Sequence, residues 1–106
     1  MPKYLIEANY TLDGVKGLRK DGGSKRREAA GAAIQSVGGK MEAFYFAFGN
    51  PDAVVIFDAP DNVAAAAASV AINATGAVQA RTIVLLTPEE IDKAVTTNVT
   101  YRAPGQ

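Results

Sequence analysis

Lys16, Arg19, Lys20, Lys25, Arg26 and Arg27 are six of the chain's eleven basic residues, and they surround Gly22-Gly23-Ser24. If a helix starts at that glycine pair, its free backbone N–H groups and positive end add to the side-chain charge. Such a place suits a carboxylate or a phosphate. The alternative is a solvated loop and helix face, the usual fate of a run of charges.

A second set of chemistry-bearing groups lies in apolar surroundings: Glu7, Asn9 and Tyr10 near the N-terminus, Glu42 and Tyr45 in the middle. A polar atom under a helix or inside an assembly must find a partner or line a wet cavity. In a pocket, a carboxylate of raised pKa at Glu7 or Glu42 acts as a base and Tyr45 as an acid, while Tyr10 and Asn9 bind. At the sheet margins the same carboxylates pair with Lys or Arg across strands. Asp52 follows a Gly-Asn-Pro turn, where an aspartate commonly bonds to the turn's own amides.

Other chemistry is excluded by residue type. The chain has no cysteine and no histidine. That removes disulfides, zinc sites of Cys and His, His- or Cys-held haem, and Cys or Ser-His nucleophiles. A metal would need oxygen ligands alone, and Asp58, Asp61 and Asn62 match no known loop spacing, so no metal and no cofactor are expected. The formal net charge is zero, so no global field draws the protein to nucleic acid or to an anionic membrane. Phe44, Phe46 and Phe48 lack the flanking basic residues of an RNA-stacking sheet, which argues against nucleic-acid binding. The opening MPKYLIEANY is too polar for a signal peptide, and no apolar run approaches the roughly 20 residues of a membrane span. A cytoplasmic protein is the expectation.

The elements that must position these groups are readable from periodicity. Tyr4 to Tyr10 alternates, with Tyr4, Ile6, Ala8 and Tyr10 on one face. Thr11 caps a weak helical turn carrying Leu12, Val15 and Leu18, which Gly14 and Gly17 weaken. After Asp21-Gly22-Gly23, Ser24 is the expected cap of a firmer helix with Ala30, Ala33, Ile34 and Val37 as its buried stripe; Gly38-Gly39 ends it. Lys40 to Phe48 reads as a strand with Phe44, Phe46 and Phe48 on one face and Met41, Ala43, Tyr45 and Ala47 on the other. The turn at residues 49–52 returns the chain into a strand from Ala53 to Phe57, an antiparallel hairpin. Asp61 caps a helix whose expected apolar stripe is Val63, Ala67, Val70, Ala71 and Ala74, stopped at Gly76. Val78 to Leu86 is the last strand, and Thr87-Pro88-Glu89-Glu90 is a capping box opening a short helix through Val95. Residues 97–106 have no period and read as an extended tail lying on a neighbour.

The order β-α-β-β-α-β with a terminal helix predicts one α+β, ferredoxin-like domain over residues 1–106, with two helices on one face of a four-stranded antiparallel sheet. The later strands are apolar on both faces. A bare apolar sheet face needs a second layer, and another copy of the same sheet is the simplest one. A homodimer or higher assembly packed sheet to sheet is the expectation.

The chain resembles the GYD-domain family. The matching stretches are Tyr10-Thr11, Gly14-Val15-Lys16-Gly17-Leu18, Gly22-Gly23-Ser24, Arg27-Glu28, Gly38-Gly39-Lys40 and Glu42-Ala43-Phe44-Tyr45. FGNPDAVVIFDAPDN, TPEEID and Tyr101-Arg102 complete the match. Pro51 stands where the family's namesake triplet has tyrosine, between Gly49 and Asp52. The resemblance implies a dimeric α/β-barrel and leaves the activity open. It also singles out Lys16 and Arg27, which fall in family-like phrases, as the residues to hold an anion. Two functions follow: a small-molecule-binding or accessory protein taking a small anionic or aromatic molecule, or a cofactor-independent monooxygenase, isomerase or cyclase. A cavity between sheet and helices lined by those polar groups favours a site; the same groups in cross-strand pairs favour assembly.

Overall fold

The computed structural model describes residues 1–106. The elements are β1 (Lys3–Tyr10), α1 (Leu12–Asp21), α2 (Gly23–Ser36), β2 (Lys40–Phe46), β3 (Ala53–Asp58), α3 (Asn62–Ala74), β4 (Val78–Leu85) and α4 (Pro88–Thr96). The strands form one antiparallel sheet in the order β2-β3-β1-β4, an open α+β arrangement consistent with the ferredoxin-like fold. No helix is long and apolar enough to cross a membrane.

Alternation decides which face of the sheet the helices cover. Tyr4, Ile6 and Ala8 of β1 and Ala53, Val55 and Phe57 of β3 are buried, and Ile34 of α2 and Ala65 of α3 pack onto them. Tyr4 stacks on Phe57 with ring centroids 5.4 Å apart, and its hydroxyl donates to Asn62 Oδ1 at 2.6 Å, tying the start of α3 to the sheet. Thr11, Asp61 and Thr87 cap α1, α3 and α4 as their residue types predict, and Thr87 with Glu90 closes a full capping box.

Four local expectations are corrected. The weak turn after Thr11 is a complete ten-residue helix. Its Gly14 is buried against the Ala77 carbonyl, where a β-carbon would collide with that oxygen, so glycine is what allows α1 to lie this close. Ser24 is not a cap: α2 starts two residues earlier, with Gly22 in the cap position, and Gly22 at φ 83° turns the chain directly from one helix into the next. In β2 a bulge between Met41 and Ala43 inserts one residue and moves Met41 to the helix face with Phe44 and Phe46. The strand ends at Phe46, leaving Phe48 fully exposed.

The fourth correction is on α3. Its larger residues Val63 and Val70 point outward, while Ala65 and Ala68 are buried and Ile72 is partly so. In a helix this rich in alanine, size does not mark the inner face. Small side chains let the backbone approach the sheet, and the valines are left outside.

Candidate functional site: a cavity between the sheet and two helices

Between the helix face of the sheet and helices α2 and α3 lies a cavity of about 250 Å³. Its floor is Ile6 and Ala8 of β1, Ala53 and Val55 of β3, and Phe44 of β2; its roof is Ala29, Ala30, Ala33 and Ile34 of α2 with Ala71 and Ile72 of α3. The cavity exists because the roof is built largely of alanine, whose short side chains keep the layers together without filling the space between them. Thirteen of its fifteen lining residues are hydrophobic, and Arg26 and Thr75 are the exceptions. Tyr10 adds a phenol.

A second chamber of about 250 Å³ adjoins it beneath α1 and shares Tyr10, Arg26, Ile72, Thr75 and Val78 with the first. This outer chamber is polar, with Asp13 and Asp21 among its walls. Tyr10, Arg26 and Thr75 therefore stand where an apolar interior meets a polar mouth. Thr75 is largely engaged by its own turn, its hydroxyl donating to the Ile72 carbonyl at 2.8 Å and accepting from the Ala77 amide at 3.2 Å.

Arg26 is held loosely. Its nearest carboxylate oxygen, on Asp21, is 3.9 Å away, beyond hydrogen-bond distance. The guanidinium keeps donors available at the mouth. Tyr10 stacks against Phe46, centroids 6.5 Å apart. Burial holds its phenol above the ordinary value of 10.0, over the opposing influence of the neighbouring Arg26 guanidinium; the Asp52 carboxylate adds to the rise. At neutral pH Tyr10 is a proton donor and Arg26 a cation, so the pair can bind an anion or stabilise charge developing on a bound carbonyl.

The polar groups expected on the strands separate by face. Of Glu7, Asn9, Tyr10, Glu42 and Tyr45, only Tyr10 reaches the cavity. Glu7 and Arg81 form an ion pair across β1 and β4, where they are register partners. Lys3 Nζ lies 2.8 Å from Glu42 and 3.1 Å from Asp58, and both carboxylates raise its pKa through hydrogen bonds. Asn9 donates to Asn50 Oδ1 at 2.8 Å and accepts from the Asp52 amide at 3.1 Å, fastening the hairpin loop. Asp52 accepts from the amides of Tyr10 at 2.9 Å and Gly49 at 3.1 Å. Tyr45 is 71 % exposed on edge strand β2. Lys16 lies exposed on α1, and Arg27 lies on the outer side of α2 in a shallow groove with Glu28, Gln35 and Lys40.

Neither charge nor the family-like phrases single out Arg26 among its basic neighbours, yet the sequence carries a signal for it. Extending the stripe Ala30, Ala33, Ile34 and Val37 back by one turn lands on Arg26, not on Arg27. The inward face of α2 thus begins with a cation.

No curated protein and no solved structure matches the chain. A family model does: the GYD domain matches residues 4–95, from the first buried tyrosine of β1 to the last turn of α4. That span holds all of the sheet but Lys3, both chambers and the Tyr10–Arg26 mouth, and by it the chain belongs to the GYD-domain family.

Proposed function

We propose that the protein binds a small molecule with an apolar or aromatic body and an anionic group, and that it does so as a cytoplasmic homodimer. The observation that carries the reading is the alanine-roofed cavity with the Arg26 guanidinium and the Tyr10 phenol at its mouth. Its volume, about 250 Å³, falls just below the ~300–1,000 Å³ range of small-molecule sites, which selects a compact ligand. Pairing follows from the open sheet face, where Leu5, Val54, Ile56 and Ile83 are only partly covered. Only 11 of 106 residues are buried, so the isolated chain has a thin core that a second sheet would complete.

The test uses 1-naphthoate as a probe, titrated against the intact protein by calorimetry or fluorescence. Saturable binding is expected. Arg26→Ala should weaken it about tenfold or more, the loss of one hydrogen bond to a charged group. Ala33→Phe should abolish it by filling the chamber. Binding unchanged by both variants would overturn the reading. Light scattering reports the dimer, and Ile56→Asp should dissociate it.

A cofactor-independent oxygenation, isomerisation or cyclisation is the second reading. It rests on the position of Tyr10, the cavity's one phenol, which would supply a proton to a bound substrate. Tyr45, Glu7 and Glu42 do not line that cavity.

A further inference from the structure

The two chambers of the site differ in charge as well as in polarity. Helix α1 brings Asp13 and Asp21 to the outer one, and Arg26 is the only cation lining either. Lys16, Arg19 and Lys20 belong to the same helix, yet they are exposed and line neither chamber. Helix α1 therefore gives the chamber its acidic residues and keeps its basic ones outside. With two carboxylates to one guanidinium, the outer chamber holds an excess of negative charge. A ligand whose only charge is negative meets Arg26 and, beside it, the repulsion of Asp13 and Asp21.

The protein does not satisfy these carboxylates itself. Asp13 forms no ion pair, and the one ion pair of Asp21 is its approach to Arg26, with Nη1 and Oδ2 3.9 Å apart. Anion and cation thus stand side by side without a hydrogen bond between them. A molecule carrying an anion and a cation on neighbouring atoms fits across them with opposite polarity. The chamber wall beside them is bare. Gly14 is needed where α1 touches the Ala77 carbonyl, but a β-carbon on Gly17 would meet nothing within 4 Å. Packing does not require glycine there and helix propensity opposes it, so its effect is to leave room.

We propose that the ligand is a zwitterion, an α-amino acid with an apolar side chain. The inference rests on the cavity reading above and narrows it. The side chain lies among the alanines of the inner chamber, the carboxylate meets Arg26 and the Tyr10 hydroxyl, and the ammonium meets Asp21 and Asp13. The chambers share Tyr10, Arg26, Ile72, Thr75 and Val78, so a body seated in the inner one places its head group in the outer. An α-amino acid carries both charges on one carbon, which suits a guanidinium and a carboxylate that stand as close as Arg26 and Asp21. A simple carboxylate leaves the two aspartates unanswered, and a simple amine leaves Arg26 unanswered.

Calorimetry on the full-length chain at pH 7 tests this with probes of one skeleton. They are L-phenylalanine, 3-phenylpropanoate, which lacks the amine, and 2-phenylethylamine, which lacks the carboxylate. Phenylalanine should bind about tenfold or more tighter than either, as one further charge-assisted hydrogen bond implies. Asp13→Asn/Asp21→Asn should remove its advantage over 3-phenylpropanoate. The propanoate itself should bind tighter to that variant, because it no longer faces two carboxylates. If 3-phenylpropanoate binds the parent protein as tightly as phenylalanine, the zwitterion is overturned and the cavity reading stands. The same holds if phenylalanine keeps its advantage in the double variant, or if naphthoate binds and phenylalanine does not. Phenylethylamine as tight as phenylalanine would overturn both, since the anion then contributes nothing, and so would a protein that binds neither naphthoate nor any of the three.

Discussion

The two faces of the sheet treat polar side chains in opposite ways. On the open face they pair with one another: Lys3 with Glu42 and Asp58, Glu7 with Arg81, Asn9 with Asn50. On the helix face they are few, and the two that matter most, Tyr10 and Arg26, converge on a cavity, with Arg26 only 3.9 Å from its nearest carboxylate oxygen, on Asp21. Pairing between neighbours is what register and alternation produce without any ligand. Convergence on a cavity is not, because an interior that could have been filled by larger residues is left open by alanines. The contrast separates groups that hold the sheet together from groups able to hold something else.

The largest expected effect tests the core itself. Phe57 is fully buried on the helix face, and Phe57→Ala should cost about 3–5 kcal/mol in chemical denaturation. Its neighbour Ile56 points the other way. Ile56→Ala should lower the stability of the isolated protomer by less than ~1 kcal/mol and act mainly on assembly, so its effect should grow with protein concentration. Equal, concentration-independent losses at both positions would break the contrast between the faces.

Removing a charge from each face should give the next largest difference. Arg26→Ala leaves the fold stable and removes the cation at the cavity mouth, costing naphthoate about 1.5–3 kcal/mol of binding. Arg81→Ala leaves that binding unchanged. If both alter it alike, the charges act through the general field of the protein and the mouth has no special standing.

Proton chemistry gives a smaller effect with a definite sign. Tyr10 has a pKa raised above 10.0 in the folded protein. The stability it contributes is therefore complete below pH 10 and is lost as pH climbs through the folded value. Ultraviolet titration should show the Tyr10 phenol ionising late, as the step that Tyr10→Phe removes. Lys3, raised above 10.5 by its two carboxylates, loses its contribution in the same alkaline direction. A Tyr10→Phe protein with an unchanged alkaline limb would mean that burial does not govern this phenol.

Much of the fold is legible in the chain, for identifiable reasons. The alternation Tyr4, Ile6, Ala8 and the caps at Thr11, Asp61 and Thr87 are local signals that tertiary packing has no cause to override. The β2 bulge is not legible, since one inserted residue at Glu42 changes every later side without changing composition. The inner face of α3 is hidden for a different reason: where nearly every position is alanine, hydrophobicity has no phase, and only the closeness of the sheet selects Ala65 and Ala68. At the cavity the missing information is helical phase. Arg26 and Arg27 are identical in type and adjacent, and 100° of rotation puts one in the mouth and the other in a groove on the far side.

The smallest effect carries the sharpest version of the contrast, because it asks whether a paired carboxylate on the open face is anything more than paired. Glu7 and Arg81 are opposite each other across the ladder and close enough to bond, with Arg81 well exposed. An exposed pair of this kind contributes about 0–1 kcal/mol. Glu7→Gln, Arg81→Gln and the double variant should therefore lie within about that range of the parent protein. The double should be no worse than the sum of the singles, and naphthoate binding should be unaffected in all three. When two groups serve only each other, removing the second after the first costs little. A Glu7→Gln variant that lost binding or assembly while Arg81→Gln did not would assign Glu7 a partner beyond Arg81. The open face would then be a site in its own right.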